Sequence, residues 1–224
     1  MFRIIYPPQT ISPAVPPPRH SLERKEFAQM LNILWLAICY MLGAVPFGLV
    51  VAKVTCGIDP REAGSRNIGT TNVARLCGTQ YGILVLALDI LKGTLPVMVA
   101  ANMSDSWFFV GLCALACVLG HMYSCWLGFT GGKGFATMIG AFLPLAFWPI
   151  LFSVILCVVT IAASGYVSLG ALMFGACLPI FLILSGNFGI ALFAFIATFL
   201  LYWKHRENID RLAEGRENPW RKKS

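Results

Sequence analysis

Residues 120–137, with the sequence GHMYSCWLGFTGGKGFAT, interrupt a long apolar run with a glycine-rich segment that contains one lysine, Lys133. Between Gly93 and Trp203 the only formally charged side chains are Asp105 and Lys133. A charged side chain at bilayer depth costs at least about 2.5–3.5 kcal/mol and is usually kept because it faces a partner or a polar cavity. Glycine backbone can direct several N–H groups at one anion, and a lysine beside it adds positive charge. The stretch therefore predicts a loop between membrane spans that binds an anion, in particular a phosphate, at the membrane surface.

Two other interpretations of this loop have to be weighed. A nucleotide P-loop follows the pattern G-x-x-x-x-G-K-[ST], but Leu127 stands where its first glycine belongs, and Gly134 replaces the hydroxyl residue that holds magnesium. The P-loop is therefore excluded. A flexible loop whose lysine extends to the lipid headgroups fits the segment equally well when the segment is considered alone.

The composition indicates an integral membrane protein. Of the 224 residues, 58% are hydrophobic and 12% are charged, and the mean hydropathy is +0.74. The formal net charge of +7 comes from residues at the ends of apolar runs, which predicts contact with an anionic lipid bilayer and anionic substrates, and no nucleic acid. The eight cysteines include no C-x-x-C pair and lie mostly in apolar runs, so we expect neither a disulfide framework nor a metal site.

Three segments are predicted along the chain. Residues 1–26 contain six of the thirteen prolines and no amphipathic period, which predicts a disordered tail. This tail lacks the apolar core of a signal peptide. Residues 27–217 are expected to form a single transmembrane domain, followed by a basic C-terminal tail at residues 218–224.

Hydropathy predicts an all-α polytopic membrane protein with spans near residues 27–54, 81–101, 107–123, 167–184 and 187–203. The polar segment 53–80 and the chain after residue 203 are rich in Lys and Arg, whereas the loop 102–106 has none, so the positive-inside rule places the first two in the cytoplasm. The Lys133 loop is then cytoplasmic too. An even number of spans must follow it, so residues 134–163 are predicted to cross twice, which makes about seven spans with the N-terminus outside.

Three polar segments, 59–75, 120–137 and 204–217, share the cytoplasmic side in this topology. The first contains more hydroxyl and amide groups than charges, which suits a polyol phosphate, although a solvated linker is the ordinary alternative. The third can form a short helix on which His205, Asn208 and Arg211 face one way. Their convergence on one membrane face predicts a binding site.

Three further polar residues lie within predicted spans. Asp89 and Lys92 are spaced i,i+3, so they share a helix face and can form an ion pair that lowers the cost of insertion. We favour a structural pair over a catalytic role. His121 lies at the end of a span, where a lone histidine is more often a hydrogen-bonded structural group than a base.

Six motifs together resemble those of the bacterial membrane glycerol-3-phosphate acyltransferases of the PlsY type, and they extend from about residue 31 to residue 217. They are GAVPFG (43–48), GSRNIGTTNVAR (64–75), DILKG (89–93), GH (120–121) with GGKG (131–134), SGYVSLG (164–170) and HRENIDRL (205–212). The resemblance implies seven spans in the bacterial inner membrane and cytoplasmic active-site loops. It also implies transfer of an acyl group from a fatty acyl phosphate to the sn-1 hydroxyl of glycerol 3-phosphate, giving lysophosphatidic acid and phosphate.

The resemblance assigns roles to individual residues. It implies no cofactor, and it makes the soluble enzyme that produces acyl phosphate a candidate partner. The implied catalytic residues are Ser65, Arg75, Lys133, His205 and Asn208. The implied substrate-phosphate ligands are Asn67, Thr71, Asn72, Gly131, Gly132, Gly134, Arg206 and Glu217. Arg66 departs from the family, which usually has glycine there; a positive φ would strain it by about 1–2 kcal/mol, and otherwise it adds a phosphate contact.

The residues suggest a reaction without an acyl-enzyme. An acyl phosphate is already activated, and no His or Asp is spaced from Ser65 in a way that predicts a nucleophile–base pair. We therefore expect direct attack by the acceptor hydroxyl, with the substrate phosphate or His205 taking the proton. The main alternative function is a transporter or channel for an anionic phosphorylated metabolite, which would use the same cations as a binding site.

Overall fold

The structure, a computed structural model, describes residues 19–220. Its helices are α1 (Arg19–Ala44), α2 (Phe47–Cys56), α3 (Thr70–Cys77), α4 (Thr79–Met103), α5 (Trp107–Met122), α6 (Phe135–Phe142), α7 (Phe147–Ser164), α8 (Val167–Leu184), α9 (Phe188–Lys204) and α10 (Arg206–Ala213). A 3-10 turn covers Cys125–Leu127, and an isolated backbone bridge joins Ser124 to Thr130. The prediction of an all-α membrane protein is confirmed.

Helix α1 begins well before the predicted domain boundary at residue 27. The prediction of a disordered tail is therefore wrong for residues 19–26, while residues 1–18 lie outside the described part of the chain. The sequence LERKE at residues 22–26 consists of good helix formers and follows the last proline of the tail, so a helix started in the membrane span can extend through it. Of the predicted basic tail 218–224, only residues 218–220 are described.

Within residues 19–220, four stretches of helix are long and apolar enough to cross a membrane. They are Glu26–Cys56, which joins most of α1 to α2, and the helices α4, α7 and α8. A fifth forms if α9 and α10, which meet at a 61° bend, are taken together, and α5 is a shorter apolar helix. The protein is therefore a multi-pass membrane protein, and the total of seven spans stays a prediction.

The predicted pair of crossings between residues 134 and 163 differs from what the structure contains. Helix α6 has 8 residues and is about 12 Å long, far short of the roughly 30 Å hydrocarbon core. Helix α7 has 18 residues and is long enough for one crossing. The two-crossing prediction is not confirmed for α6, which by itself reaches only part of the way through a bilayer.

Helix α5 is the centre of the bundle, where it packs against α1, α4, α6 and α9. A methyl group on Gly120 would collide with the backbone of Tyr40 in α1, and one on Gly43 would collide with the backbone of Cys117 in α5. Small residues of this kind let helix backbones touch in a lipid environment, where apolar side chains alone provide little driving force for association. This close packing fixes the end of α5 that leads into the Lys133 loop.

Helix α4 carries the predicted buried charges. Lys92 Nζ lies 2.7 Å from Asp89 Oδ1 and donates a hydrogen bond of 2.8 Å to the carbonyl of Val45. Both charged side chains are almost completely buried. The pair therefore ties α4 to the break between α1 and α2.

The structure pairs two cysteines, contrary to the expectation from spacing. Cys56, the last residue of α2, and Cys77, the last residue of α3, form a disulfide with their Cα atoms 5.9 Å apart. The sequence pattern did not indicate this pair because the two cysteines meet only when α2 and α3 pack together, and both helices also contact α4. The pair closes the polar segment that contains residues 59–75.

Candidate functional site

One pocket collects residues from all three polar segments and from three membrane helices. The polar segments contribute Ser65, Asn67, Gly69, Thr70, Thr71, Asn72, Arg75, Lys133, Gly134, Phe135, Ala136, His205, Asn208, Arg211 and Glu217, and Asn218 follows directly after the third segment. Helices α4, α5 and α8 contribute Asp89, His121, Val167, Ser168 and Ala171. The predicted convergence of the three segments is present in the structure. The alternative of a flexible loop with an isolated lysine does not describe this arrangement.

Asn72 holds the first polar segment in shape. Its amide nitrogen donates to the carbonyls of Pro60 (2.9 Å), Ala63 (3.1 Å) and Asn67 (2.9 Å), and its Oδ1 accepts from the backbone N–H of Ser65 (2.9 Å). The side chain is buried, and these contacts engage both its donors and its acceptor. Asn72 therefore holds this segment in shape and also lines the pocket, and its phosphate contact stays a prediction.

Arg66 has a φ of 55°, in the left-handed region that favours glycine. This resolves the two interpretations of that position in favour of backbone strain, of about 1–2 kcal/mol for an L-residue. The side chain is exposed and is absent from the pocket lining, so it makes no contribution there.

The glycines of the GGKG motif divide into two roles. Gly132 donates its N–H to the carbonyl of His121 (3.1 Å), and a methyl group on either Gly131 or Gly132 would collide with His121. Neither glycine lines the pocket. Gly134 does line it, with a φ of 82°, and it precedes the first turn of α6. Of the three glycines predicted to form a phosphate nest, Gly134 lines the pocket at the start of α6, and the other two seat the loop against α5.

Lys133 meets the third polar segment directly. Its Nζ donates to Oδ1 of Asn208, a residue 75 positions away in the chain. Burial lowers the pKa of the Lys133 ammonium to about 8, and the positive charge of Arg211 contributes to this shift. The ammonium therefore has a neutral ligand and no carboxylate partner within ion-pair distance among the described residues.

Glu217 organises the wall opposite Lys133. Its Oε1 accepts from Nδ2 of Asn208 (2.9 Å), and its Oε2 accepts from Nε of Arg211 (2.8 Å). Because Asn208 donates its amide hydrogen to Glu217, its carbonyl oxygen is turned toward Lys133. These two hydrogen bonds orient Asn208 and Arg211, and the phosphate contact of Glu217 stays a prediction.

The pocket contains Arg211 and not Arg206. Arg206 is exposed, donates to the carbonyl of Trp203 (3.2 Å), and lies over the Trp203 ring at 5.3 Å. His205, Asn208 and Arg211, spaced three residues apart, face the pocket together. That spacing was visible in the sequence and indicated Arg211, whereas Arg206 is the arginine predicted to bind phosphate.

His205 follows the last residue of α9 and is buried. Its Nδ1 lies 2.8 Å from the carbonyl oxygen of Leu201. Since a carbonyl only accepts, Nδ1 carries the hydrogen and Nε2 has a free lone pair. Burial, followed by the charge of Lys133, lowers the pKa of His205 to about 4, so the ring is neutral at pH 7.

Two serines line the pocket with hydroxyls that make no hydrogen bond to the described residues. Ser65 is exposed, and no histidine or carboxylate contacts its hydroxyl, so no nucleophile–base pair is formed there. Ser168 in α8 is buried, and its Oγ has no partner. A buried hydroxyl normally has a hydrogen-bond partner. Ser168 belongs to the SGYVSLG motif (164–170), but the sequence did not predict a role for it.

His121 and Asp89 lie at the inner end of the pocket. His121 Nδ1 is 3.0 Å from Thr137 Oγ1 and 3.7 Å from Asp89 Oδ1. These contacts connect α4, α5 and α6 beneath the Lys133 loop, which is compatible with the predicted structural role of Asp89, Lys92 and His121. Among residues 19–220, no group of three or more His, Cys, Asp or Glu side chains could hold a metal ion.

Known proteins are similar to this chain in both sequence and fold. Residues 33–215 match the family model described as glycerol-3-phosphate acyltransferase. A glycerol-3-phosphate acyltransferase of Nitratidesulfovibrio vulgaris is 54% identical over 194 residues, which cover 87% of this chain and 59% of that protein. This chain thus spans less than two thirds of that relative. The protein of the same name from Desulfovibrio desulfuricans is 53% identical over 193 residues, 86% of each chain.

A solved structure extends the match to the fold. The crystal structure of PlsY, an integral membrane glycerol 3-phosphate acyltransferase, in its glycerol 3-phosphate form, aligns with a TM-score of 0.81 at 38% identity. The alignment covers 84% of this chain and 94% of that one. On the family match, the sequence identities and this shared fold, the chain belongs to the glycerol-3-phosphate acyltransferase family.

Proposed function

We propose that this acyltransferase uses a fatty acyl phosphate as donor and acylates the sn-1 hydroxyl of glycerol 3-phosphate, giving lysophosphatidic acid and inorganic phosphate. The observation that carries the proposal is the convergence of three cations, Arg75, Lys133 and Arg211, on one pocket. An acyl phosphate and glycerol 3-phosphate together bring two phosphate groups, whose mutual repulsion such a set of cations offsets.

Backbone dipoles support the same assignment. The first turns of α3 and α6 line the pocket through Thr70, Thr71, Phe135 and Ala136. The N–H groups at a helix N-terminus have no partner within the helix and favour anions. Two helix starts and three cations therefore face the same space. Ser168, with its unpaired buried hydroxyl, supplies a further hydrogen-bond donor to a bound phosphate.

The reaction follows from the position of these groups. The sn-1 oxygen attacks the carbonyl carbon of the acyl phosphate, a new ester C–O bond forms, and the bond between the acyl carbon and the phosphate oxygen breaks. The hydroxyl proton ends on the released phosphate. With a pKa of about 4, His205 is a weak base at pH 7, whereas a phosphate group with a second pKa near 6 is a better acceptor. We therefore favour the substrate phosphate over His205 as the proton acceptor, with His205 Nε2 orienting the hydroxyl.

The proposed location is the bacterial inner membrane, with the N-terminus outside and the pocket on the cytoplasmic side. The polar segments that build the pocket contain most of the Lys and Arg residues outside the N-terminal tail, and such segments stay in the cytoplasm. The apolar residues Phe135, Val167 and Ala171 line the same pocket and suit the start of an acyl chain. The soluble enzyme that makes acyl phosphate is the proposed partner, because the donor has to reach this face.

The donor is tested with purified protein in detergent, given palmitoyl phosphate with or without glycerol 3-phosphate. We expect release of inorganic phosphate that depends on glycerol 3-phosphate and equals the lysophosphatidic acid formed. Palmitoyl-CoA in place of palmitoyl phosphate is the matched control and is expected to give no product. Turnover with palmitoyl-CoA alone would contradict the proposed donor, and acyl-protein on Ser65 that is cleaved by hydroxylamine would contradict direct attack.

The pH dependence of kcat/KM for glycerol 3-phosphate is expected to report the ionisation of Lys133. The lowered pKa, about 8, means that Lys133 is charged below this pH and loses its proton as the pH rises through it. The kcat/KM for glycerol 3-phosphate should therefore fall above about pH 8, because this ratio reflects ionisation in the free enzyme. In Lys133→Arg the fall should move to higher pH, since arginine stays charged. An unchanged profile in Lys133→Arg would contradict the role of Lys133 in phosphate binding.

Two arginines in one short helix provide a matched comparison. Arg211→Ala should raise the KM for glycerol 3-phosphate by about tenfold or more, as expected when a charge-assisted hydrogen bond is lost. Arg206→Ala should change it by less than about twofold, because Arg206 lies outside the pocket. Arg211→Lys should recover part of the loss by restoring the charge. The assignment is contradicted if Arg206→Ala has the larger effect in steady-state kinetics.

A further inference from the structure

The chain turns back across the pocket after helix α10. The backbone N–H of Arg216 donates to the carbonyl of Arg211 (2.7 Å), which reverses the direction of the chain. Residues 215–220, here named the C-terminal strap, then run to the turn between α7 and α8, where the backbone N–H of Trp220 donates to the carbonyl of Gly165 (2.7 Å). Glu217 and Asn218 of the strap line the pocket. The strap is therefore anchored at both ends and crosses the pocket between them.

The middle of the strap holds Arg75. Nη2 of Arg75 donates to the carbonyl of Asn218 at 3.2 Å and to that of Pro219 at 3.3 Å. These carbonyls lie 143 and 144 positions away from Arg75 in the chain. These two carbonyls are the only hydrogen-bond partners of the Arg75 guanidinium among residues 19–220. A guanidinium has five N–H donors, so the remaining three stay available to a ligand.

The partners of Arg75 differ in charge from the partner of Arg211, the other arginine in the pocket. Arg211 is paired with the carboxylate of Glu217, which offsets its charge. Arg75 is held by two neutral carbonyls, which orient the guanidinium and leave its full positive charge for a phosphate. Arg75 is an exposed side chain with many rotamers, and fixing it in advance reduces the entropy lost when a ligand binds.

Most of the strap follows the part of the chain that matches the family model. That match ends at residue 215, and the carbonyls of Asn218 and Pro219 and the anchor at Trp220 come after it. Their contact with a pocket residue gives that segment a place in the substrate site.

We propose that the C-terminal strap positions Arg75 for the phosphate of glycerol 3-phosphate, through the carbonyls of Asn218 and Pro219 and the Trp220 anchor on Gly165. This proposal rests on the phosphate-binding role proposed above for Arg75. The strap residues are positioning residues, since they act on the substrate through Arg75. Loss of the anchor should weaken binding of glycerol 3-phosphate and leave the chemical step nearly unchanged.

The test compares Trp220→Pro with Trp220→Ala in the full-length protein. Both variants remove the indole ring, but only proline removes the N–H that donates to Gly165. Trp220→Pro should raise the KM for glycerol 3-phosphate about threefold to tenfold, the size expected for the net loss of a hydrogen bond, with kcat within about twofold of the wild type. Trp220→Ala should stay within about twofold in both constants. No change in Trp220→Pro, or a lower KM because the strap competes with the substrate, would overturn the proposal.

A double-mutant cycle with Arg75→Ala identifies the route of the effect. If the strap acts through Arg75, Trp220→Pro should have no further effect on KM in the Arg75→Ala protein. An equal effect in both backgrounds would overturn the proposal. A normal KM in Arg75→Ala alone would instead refute the phosphate-binding role of Arg75, so the two failures are distinguishable.

Pro219→Gly, which loosens the same carbonyl and leaves the anchor in place, should also raise the KM for glycerol 3-phosphate. A normal KM in that variant would count against the strap.

Discussion

The site depends on one constraint, which is that the ammonium of Lys133 is partly buried next to an apolar helix bundle. Such a cation has to find ligands within the protein. Asn208 supplies a carbonyl oxygen, and that oxygen faces Lys133 because Glu217 accepts the amide hydrogen of the same side chain. This contact joins the second polar segment to the third. It also keeps the charge of Lys133 free of a carboxylate, so that the lysine can serve an incoming phosphate.

The same use of neutral ligands recurs around the pocket. Arg75 is held by backbone carbonyls, and the glycine loop is seated on α5 by the N–H of Gly132. The carboxylate of Asp89 is placed deeper, where Lys92 offsets it. The result is a pocket with a positive field at its surface and a rigid, closely packed floor. That arrangement fits an enzyme that brings two phosphate groups together more directly than it fits a transporter, which would need a polar path through the bundle.

Much of this could be predicted from the sequence, because charges in an apolar chain are few and each requires a partner. The helical class, the convergence of three segments and the Asp89 and Lys92 pair all follow from that scarcity. Contacts that depend on three-dimensional packing could not be predicted from the sequence. Gly131 and Gly132 pack against His121. The side chain of Asn72 forms hydrogen bonds within its own loop. The Cys56–Cys77 disulfide forms only where helices α2 and α3 meet. The structure places Arg211 in the pocket and the predicted Arg206 outside it, because the bend after α9 decides which face of α10 meets the pocket.

We propose that Lys133 and Asn208 act as one unit in binding the substrate phosphate. The most direct measurement is the dissociation constant for glycerol 3-phosphate, by isothermal titration calorimetry in detergent, for the wild type, Lys133→Met, Asn208→Ala and the double variant. We expect the double variant to bind about as weakly as Lys133→Met alone, with a coupling energy of about 1–2 kcal/mol. Losses that simply add, with a coupling energy near zero, would contradict it.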